Sequence, residues 1–426
     1  MINKKINKLL CSALGIALTI GILEMPALAA DNVQANKATS VNSTLTADKN
    51  YIVGTGGSYE KNGVKISIDS AIATKHKLKV VVLIKSQDTI DDEMGEFADI
   101  VMSYGNNRSN RGSTSQENID DKTLKVTFER ESEEDILPEK GTLRIDVVIP
   151  KYKINTGIEA NVDFSQSFKN SFEKDLSVSI PDAKFTINKL ETDTLGTEIT
   201  YTAPESDFKD RMKMHYLADK ATLILKTGNN LYELSRAGSS SGGSINNRTI
   251  SGNYIARAAT YDKIKDQSNF SIIPIVSTFT EDEMDKLYKD LSNDKDTKKD
   301  QLSKDITDKI NYTQYFNFND GTEGEIYNLE RTDNKLRVYC KGANELESLL
   351  LASNMNIYYN FDQTEKVHDY YPGNRQINIS KDPKDTLGYI VEFNNVDKDK
   401  TVEVNFGPII KFIDKYKLGT EIQLNK

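Results

Sequence analysis

The chain has 426 residues, 37% of them apolar and 28% charged, with 64 acidic side chains against 55 basic ones. A net charge of −9 excludes the basic face of a nucleic-acid binder, and two cysteines, Cys11 and Cys340, exclude a disulfide scaffold or a cysteine-based zinc knuckle. The length suffices for two to three domains of about 150 residues, each with its own core.

Residues 1–29 read as a secretory signal peptide. Lys4, Lys5 and Lys8 form a basic start, an apolar run covers 9–23, Pro26 breaks the helix, and Ala27-Leu28-Ala29 offers small residues for cleavage. The run falls short of the ~20 apolar residues of a spanning helix. Cleavage after Ala29 leaves Cys340 as the sole thiol and predicts an extracytoplasmic protein with no further membrane span. Residues 30–50 are polar and poor in large apolar groups, and read as a flexible linker.

From Tyr51 onward, short runs alternate between apolar and polar residues or are rich in β-branched ones. They lie at 64–68, 78–84, 124–128, 143–149, 221–225, 270–276, 336–340, 356–359 and 402–406. Period-2 apolarity bounded by Gly, Asn, Asp or Pro predicts strands, and Asn62-Gly63, Asp320-Gly321 and Pro372-Gly373 are hairpin signals. The predicted fold class is all-β.

An internal repeat organises these runs. The segment from Ile68 through Val80-Val81-Val82 has gap-free counterparts from Ile187 to Tyr201 and from Ile326 to Cys340, offset by 119 (187 − 68) and 139 (326 − 187) residues. Each copy reads as a strand, a polar turn and a returning strand. A partial fourth copy at 410–422 carries Leu418-Gly419-Thr420-Glu421-Ile422 against Leu195-Gly196-Thr197-Glu198-Ile199, and reads as a closing strand. The organisation is therefore modules at 51–175, 176–311 and 312–426. The second carries an insertion at 280–310 with helical period: Thr280 and Glu283 form a capping box, Met284, Leu287, Tyr288 and Leu291 an apolar stripe, and Leu302, Ile306 and Ile310 follow a charged break at 293–300, which reads as two short helices or one frayed hairpin. Residues 105–118 and 238–248 read as mobile polar loops.

Catalytic motifs are weak. Gly238-Ser239-Ser240-Ser241-Gly242 matches the nucleophile-elbow pattern but lacks the following helix that such an elbow requires. His76, His215 and His368 are 139 and 153 residues apart (215 − 76, 368 − 215) with no paired spacing, so no zinc ligand set is legible. Asn317, Asn319, Asp320, Glu323 and Glu325 supply hard oxygens spaced for calcium, but the twelve-residue calcium-loop pattern is absent and a hairpin turn is the preferred reading. Neither a cofactor nor a metal is predicted. The candidate binding residues are Tyr370, Tyr371 and Arg375, side chains of the kind enriched at interface hot spots, on a loop fixed by Pro372-Gly373.

The stretch from Asn62-Gly63-Val64-Lys65-Ile66 to Leu78-Lys79-Val80-Val81-Val82, Leu137-Pro138-Glu139-Lys140-Gly141, and the run from Lys189 to Ile199 resemble an uncharacterised extracytoplasmic domain of Gram-positive bacteria. In that family the domain, followed by a second domain of unknown function, often forms the outer part of membrane proteins resembling anti-sigma factors. The matching motifs are structural, so the resemblance implies no functional residue. In this chain a signal peptide stands where such proteins carry a cytoplasmic part and a spanning helix. The sequence thus predicts tandem immunoglobulin-like β-sandwich modules, near the ~100-residue size of such sandwiches, in a secreted or envelope-associated, non-enzymatic protein. Its expected role is binding or sensing an extracellular protein or cell-wall component. A structural spacer is the second reading and a secreted hydrolase the third.

Overall fold

The alternating segments pair as antiparallel strands in the computed structural model. It describes residues 49–424 except 55, 91–97, 106, 109–112, 132–135, 205–220, 245–246, 281, 284–304, 307–313, 333, 360–376, 395, 397–401 and 406–411. Among the described residues no helix is long and apolar enough to cross a membrane.

The first group of strands is β1 (Ser58–Lys61), β2 (Val64–Ala73), β3 (Lys77–Ser86), β4 (Asp99–Tyr104), β5 (Asn107–Arg108), β6 (Ser113–Asp120), β7 (Thr123–Glu131), β8 (Lys140–Ile149) and β9 (Ile154–Asp163). They form two sheets, ordered β1-β2-β3-β7-β6 and β5-β4-β8-β9. Ile66, Val80, Val82 and Val126 of one share a core with Met102, Ile145, Val147 and Ile158 of the other. Asn62 and Gly63 both take positive φ, 51° and 77°, as the tight turn between β1 and β2 requires.

The second group is β10 (Phe172–Ile180), β11 (Phe185–Asp193), β12 (Gly196–Pro204), β13 (Ala221–Thr227), β14 (Asn230–Ser244), β15 (Asn247–Ala256) and β16 (Phe270–Ser277). One sheet runs β10-β11-β12-β15-β14. The long β14 belongs to two sheets: its start pairs with β13, which pairs with β16, and beyond Leu234 it pairs with β15, with a bulge between Arg236 and Gly238. Bulges bend a strand and raise its twist, which lets β14 turn from one layer into the other.

The third group is β17 (Asp305–Ile306), β18 (Gln314–Asn317), β19 (Glu323–Thr332), β20 (Lys335–Lys341), β21 (Asn356–Tyr359), β22 (Ile377–Lys381), β23 (Tyr389–Asn394) and β24 (Val402–Asn405). The orders are β18-β19-β20-β23-β22 and β17-β24-β21, with the helix Glu345–Ser353 packed into the same core through Leu349, Leu350 and Leu351. Asn344 caps this helix, its side chain accepting from the Glu347 amide. The edge strand β22 pairs with the start of β14, so the sheets of the second and third groups are continuous.

The repeat holds to the residue. In β2–β3 the register steps from Ile68↔Val82 to Ser70↔Val81, in β11–β12 from Ile187↔Tyr201 to Lys189↔Thr200, and in β19–β20 from Ile326↔Cys340 to Asn328↔Tyr339. Asp69, Asn188 and Tyr327 are the residues passed over, at the same offsets as the sequence repeat.

Four expectations change. The 105–118 and 238–248 segments are not loops throughout: Ser113–Asp120 is an edge strand and Asn230–Ser244 a paired one. Ladder hydrogen bonds come from backbone groups, so polar and glycine-rich runs can pair without an apolar face. Within the predicted helical insertion, Asp305 and Ile306 pair with Glu403 and Val402 as a short strand. The capping box forms as expected, Glu283 N donating to Thr280 Oγ1 at 3.3 Å and Thr280 N to Glu283 Oε2 at 2.8 Å. The apolar stripe at Met284, Leu287, Tyr288 and Leu291 lies outside the described residues. Finally, the closing strands β25 (Tyr416–Leu418) and β26 (Ile422–Gln423) join β16 of the second group, although the sequence places them with the third.

Leu424 is fully buried in the second core, beside Leu225 and Ile272. Leu424→Ala should therefore cost about 2–4 kcal/mol, the penalty of a core leucine rather than of a chain end. Urea denaturation checks this, with hydrogen exchange of the β13 and β16 amides localising the loss.

Candidate functional site

Among the described residues, a dense charged cluster grows from the turn between β2 and β3. Thr74 N donates to the Lys77 carbonyl at 2.8 Å and Lys77 N to Thr74 Oγ1 at 3.2 Å, which closes the turn and lifts Lys75, His76 and Lys77 towards the second group of strands. The reciprocal element is the β11–β12 turn. There Asp193 Oδ1 accepts from the amides of Leu195 and Gly196 at 2.7 and 3.1 Å, and Gly196 takes φ 143°. A Cβ at Gly196 would lie 2.8 Å from the Ala256 carbonyl oxygen, so this approach needs glycine.

Lys77 is only 7% exposed. Its ammonium reaches Glu198 Oε2 at 2.9 Å and Asp193 Oδ2 at 3.3 Å. Burial alone would lower its pKa, but Asp193, Glu198 and Glu191 outweigh that and hold it above the ordinary lysine value. Burial works in the opposite direction on Glu198, where Lys77 and a 2.7 Å hydrogen bond from Asn253 keep the carboxyl below its usual range. Glu131, the cross-strand neighbour of Lys77, is pushed up by burial and by Glu198.

Two flanks extend the cluster. On one, Glu129 accepts from Lys79 at 2.7 Å and Arg257 at 3.4 Å. On the other, Glu173 of β10 and Glu191 of β11 sit directly opposite each other in register, a like-charge pair that costs stability unless a cation neutralises it. Lys189 does so, at 3.0 and 3.1 Å from the two carboxylates, and Lys75 adds a contact to Glu173 at 3.1 Å. His76 completes this flank: Nε2 stands 3.9 Å from Glu173 Oε1, and Nδ1 is buried with no hydrogen-bond partner. Donor atoms of His76, Glu173 and Glu191 lie within 4.8 Å of one another, the one such group among the described residues that could hold a metal ion. The sequence could not reveal it, because His76 lies 97 and 115 residues before Glu173 and Glu191 (173 − 76, 191 − 76). The two groups of strands also share a small apolar cluster, Ile72 and Val81 of β2 and β3 with Tyr51 and Leu195.

The other candidates fare differently. Tyr370, Tyr371 and Arg375 lie outside the described residues, as do His215 and His368. Ser240 pairs with Ser251 inside the β14–β15 hairpin, so a strand follows it where an elbow needs a helix. Near Gly321, Asp320 Oδ1 accepts from Thr322 N at 2.9 Å within the hairpin, and Asn319 Oδ1 accepts from the remote Ile413 N at 3.0 Å. Cys340 is fully buried, and desolvation raises its thiol pKa, the opposite of what activates a nucleophile. On the third group, Tyr327 donates to Asp382 at 2.7 Å, and Lys341 pairs with Asp385 at 2.9 Å and with Glu325 at 3.4 Å.

No family model matches the chain, and no curated protein does. Among solved structures it is similar to a conserved domain protein from Bacillus anthracis, at 15% identity and a TM-score of 0.36, over 56% of this chain and 83% of that one.

Lys77→Ala should cost about 3–5 kcal/mol, since it strands Asp193 and Glu198 as buried charges without their counter-ion. Chemical denaturation gives the value. The pH dependence has a defined sign. Glu129, Glu173 and Glu198 are depressed in the folded chain, so their stabilisation is present above the unfolded value of about 4.3 and is lost as pH falls through the folded values. Glu131 is raised and opposes them weakly, its penalty being relieved by acid. Lys77 is raised, so its contribution is complete below about pH 10.4 and lost only in stronger alkali. Protection factors at β3 and β11, corrected for the intrinsic pH dependence of amide exchange, should therefore be flat through neutral pH and fall below about pH 4.

Proposed function

We propose that the chain is an extracytoplasmic, non-catalytic protein of three immunoglobulin-like units that binds or senses a partner at the cell surface. Strand order supports the architecture. β2-β3-β7-β6 facing β5-β4-β8-β9 corresponds to the A-B-E-D and C′-C-F-G sheets of such a domain. β11-β12-β15-β14 repeats the first set, and β19-β20-β23-β22 repeats it again.

One observation carries the binding reading, the buried Lys77–Asp193–Glu198 lock. Together with the β14–β22 pairing, it makes the units one preorganised frame rather than beads on a string. Loops held at fixed separations bind with less ordering cost. The same stiffness favours the spacer reading, in which the frame sets a distance and the loops are passive.

The expected result is that the protein is recovered outside the membrane beginning at Ala30, and that it is retained saturably by an isolated cell-wall or culture-polysaccharide fraction. N-terminal sequencing and sedimentation with those fractions measure both. Full-length protein in the cytosol would overturn the extracytoplasmic reading, and processed protein with no saturable retention would turn the reading to the spacer.

A further inference from the structure

We propose that His76, Glu173 and Glu191 form a zinc-type divalent-cation site that staples the first group of strands to the second. Three observations converge. The donor atoms lie within 4.8 Å of one another. Glu173 and Glu191 are register partners across β10 and β11, so two carboxylates share one face with their charges side by side. His76 Nδ1 is buried without a hydrogen-bond partner, and its Nε2 stands 3.9 Å from Glu173, beyond hydrogen-bond reach. The imidazole thus stands beside two carboxylates with its Nε2 beyond hydrogen-bond reach of Glu173 and its Nδ1 unpartnered, so its coordination does not require a protein hydrogen bond to break.

The chemistry selects the cation. Zinc accepts both imidazole nitrogen and carboxylate oxygen and can keep a fourth position for water, whereas calcium and magnesium prefer oxygen alone, so the imidazole favours a zinc-type ion. A dication on two carboxylates and a neutral imidazole balances charge, so the Lys189 ammonium that now bridges the two acids becomes a competitor. Lys189 and Lys75 keep 30% and 40% of their side chains exposed, and can swing into water when the ion enters. His76 comes from the first group of strands and both acids from the second, so the ion would bridge the two.

The test is isothermal titration of Zn²⁺ into the tag-free full chain, with thermal melting alongside. One Zn²⁺ should bind and raise the melting temperature, while Ca²⁺ and Mg²⁺ do neither. His76→Ala and Glu173→Gln should each weaken that binding at least about tenfold, and Lys189→Met should strengthen it by a similar factor, because it removes the competing charge. His76 lies in a turn, so circular dichroism should leave the fold of His76→Ala unchanged. Equal Zn²⁺ affinity in the parent and His76→Ala would overturn the site, and so would weaker binding in Lys189→Met, which would mean that the lysine supports the carboxylates rather than competes for them.

Discussion

A single ammonium group sets the relation between the first two groups of strands. Lys77 belongs to β3, yet its charge is neutralised by Asp193 and Glu198 of the second group. Removing a lysine from water is tolerable only with counter-charges at contact distance, so the β11–β12 hairpin must sit where it does. That placement covers the outer face of β2 and β3 and explains their burial. The first half of β2 alternates, whereas Ser70 to Ala73 are buried on both faces. A strand covered on one side becomes, past its bulge, a strand covered on both.

The repeat shows how this contact is encoded. At the spacing of 119, Ile72 and Lys79 of the first copy correspond to Glu191 and Glu198 of the second. Equivalent positions of two equivalent hairpins thus carry apolar and cationic groups on one side and acids on the other. The third copy has Glu330 and Arg337 at those positions, paired with each other at 3.6 Å and left half in water. One backbone unit, with one conserved register step, serves as donor face, acceptor face and solvent face by side-chain exchange alone.

Much of this was legible in the chain itself. Alternation at 64–68 and 143–149, the Asn62-Gly63 turn and the offsets of the repeat all reappear in the pairings. What stayed hidden has physical causes. β6 is exposed at every position, so no hydrophobic period marks it, and β14 is held along its glycine- and serine-rich half by backbone pairing to β15. The charged junction was invisible because Lys77 and Asp193 are 116 residues apart, and an ion pair leaves no periodic trace. The closing strand is legible as a strand, but hydrophobic patterning does not say which sheet an edge strand joins. Tyr370, Tyr371 and Arg375 lie outside the described residues, and the structure bears instead on a junction that motif spacing could not suggest.

The location of β25 and β26 governs the order in which the molecule can assemble. Pairing Tyr416 with Ser277 closes a loop of about 140 residues that contains the whole third group of strands, and the loop-closure entropy grows with the logarithm of that length, to roughly 4 kcal/mol before any contact repays it. The cost falls sharply once the third group has folded and brought its two ends together. A chain emerging from its N-terminus can therefore complete its first and third groups of strands before its second. The middle of the protein is the last part to close, and until β25 and β26 arrive β16 remains an open sheet edge, the kind of surface on which a nascent chain meets chaperones or other copies of itself.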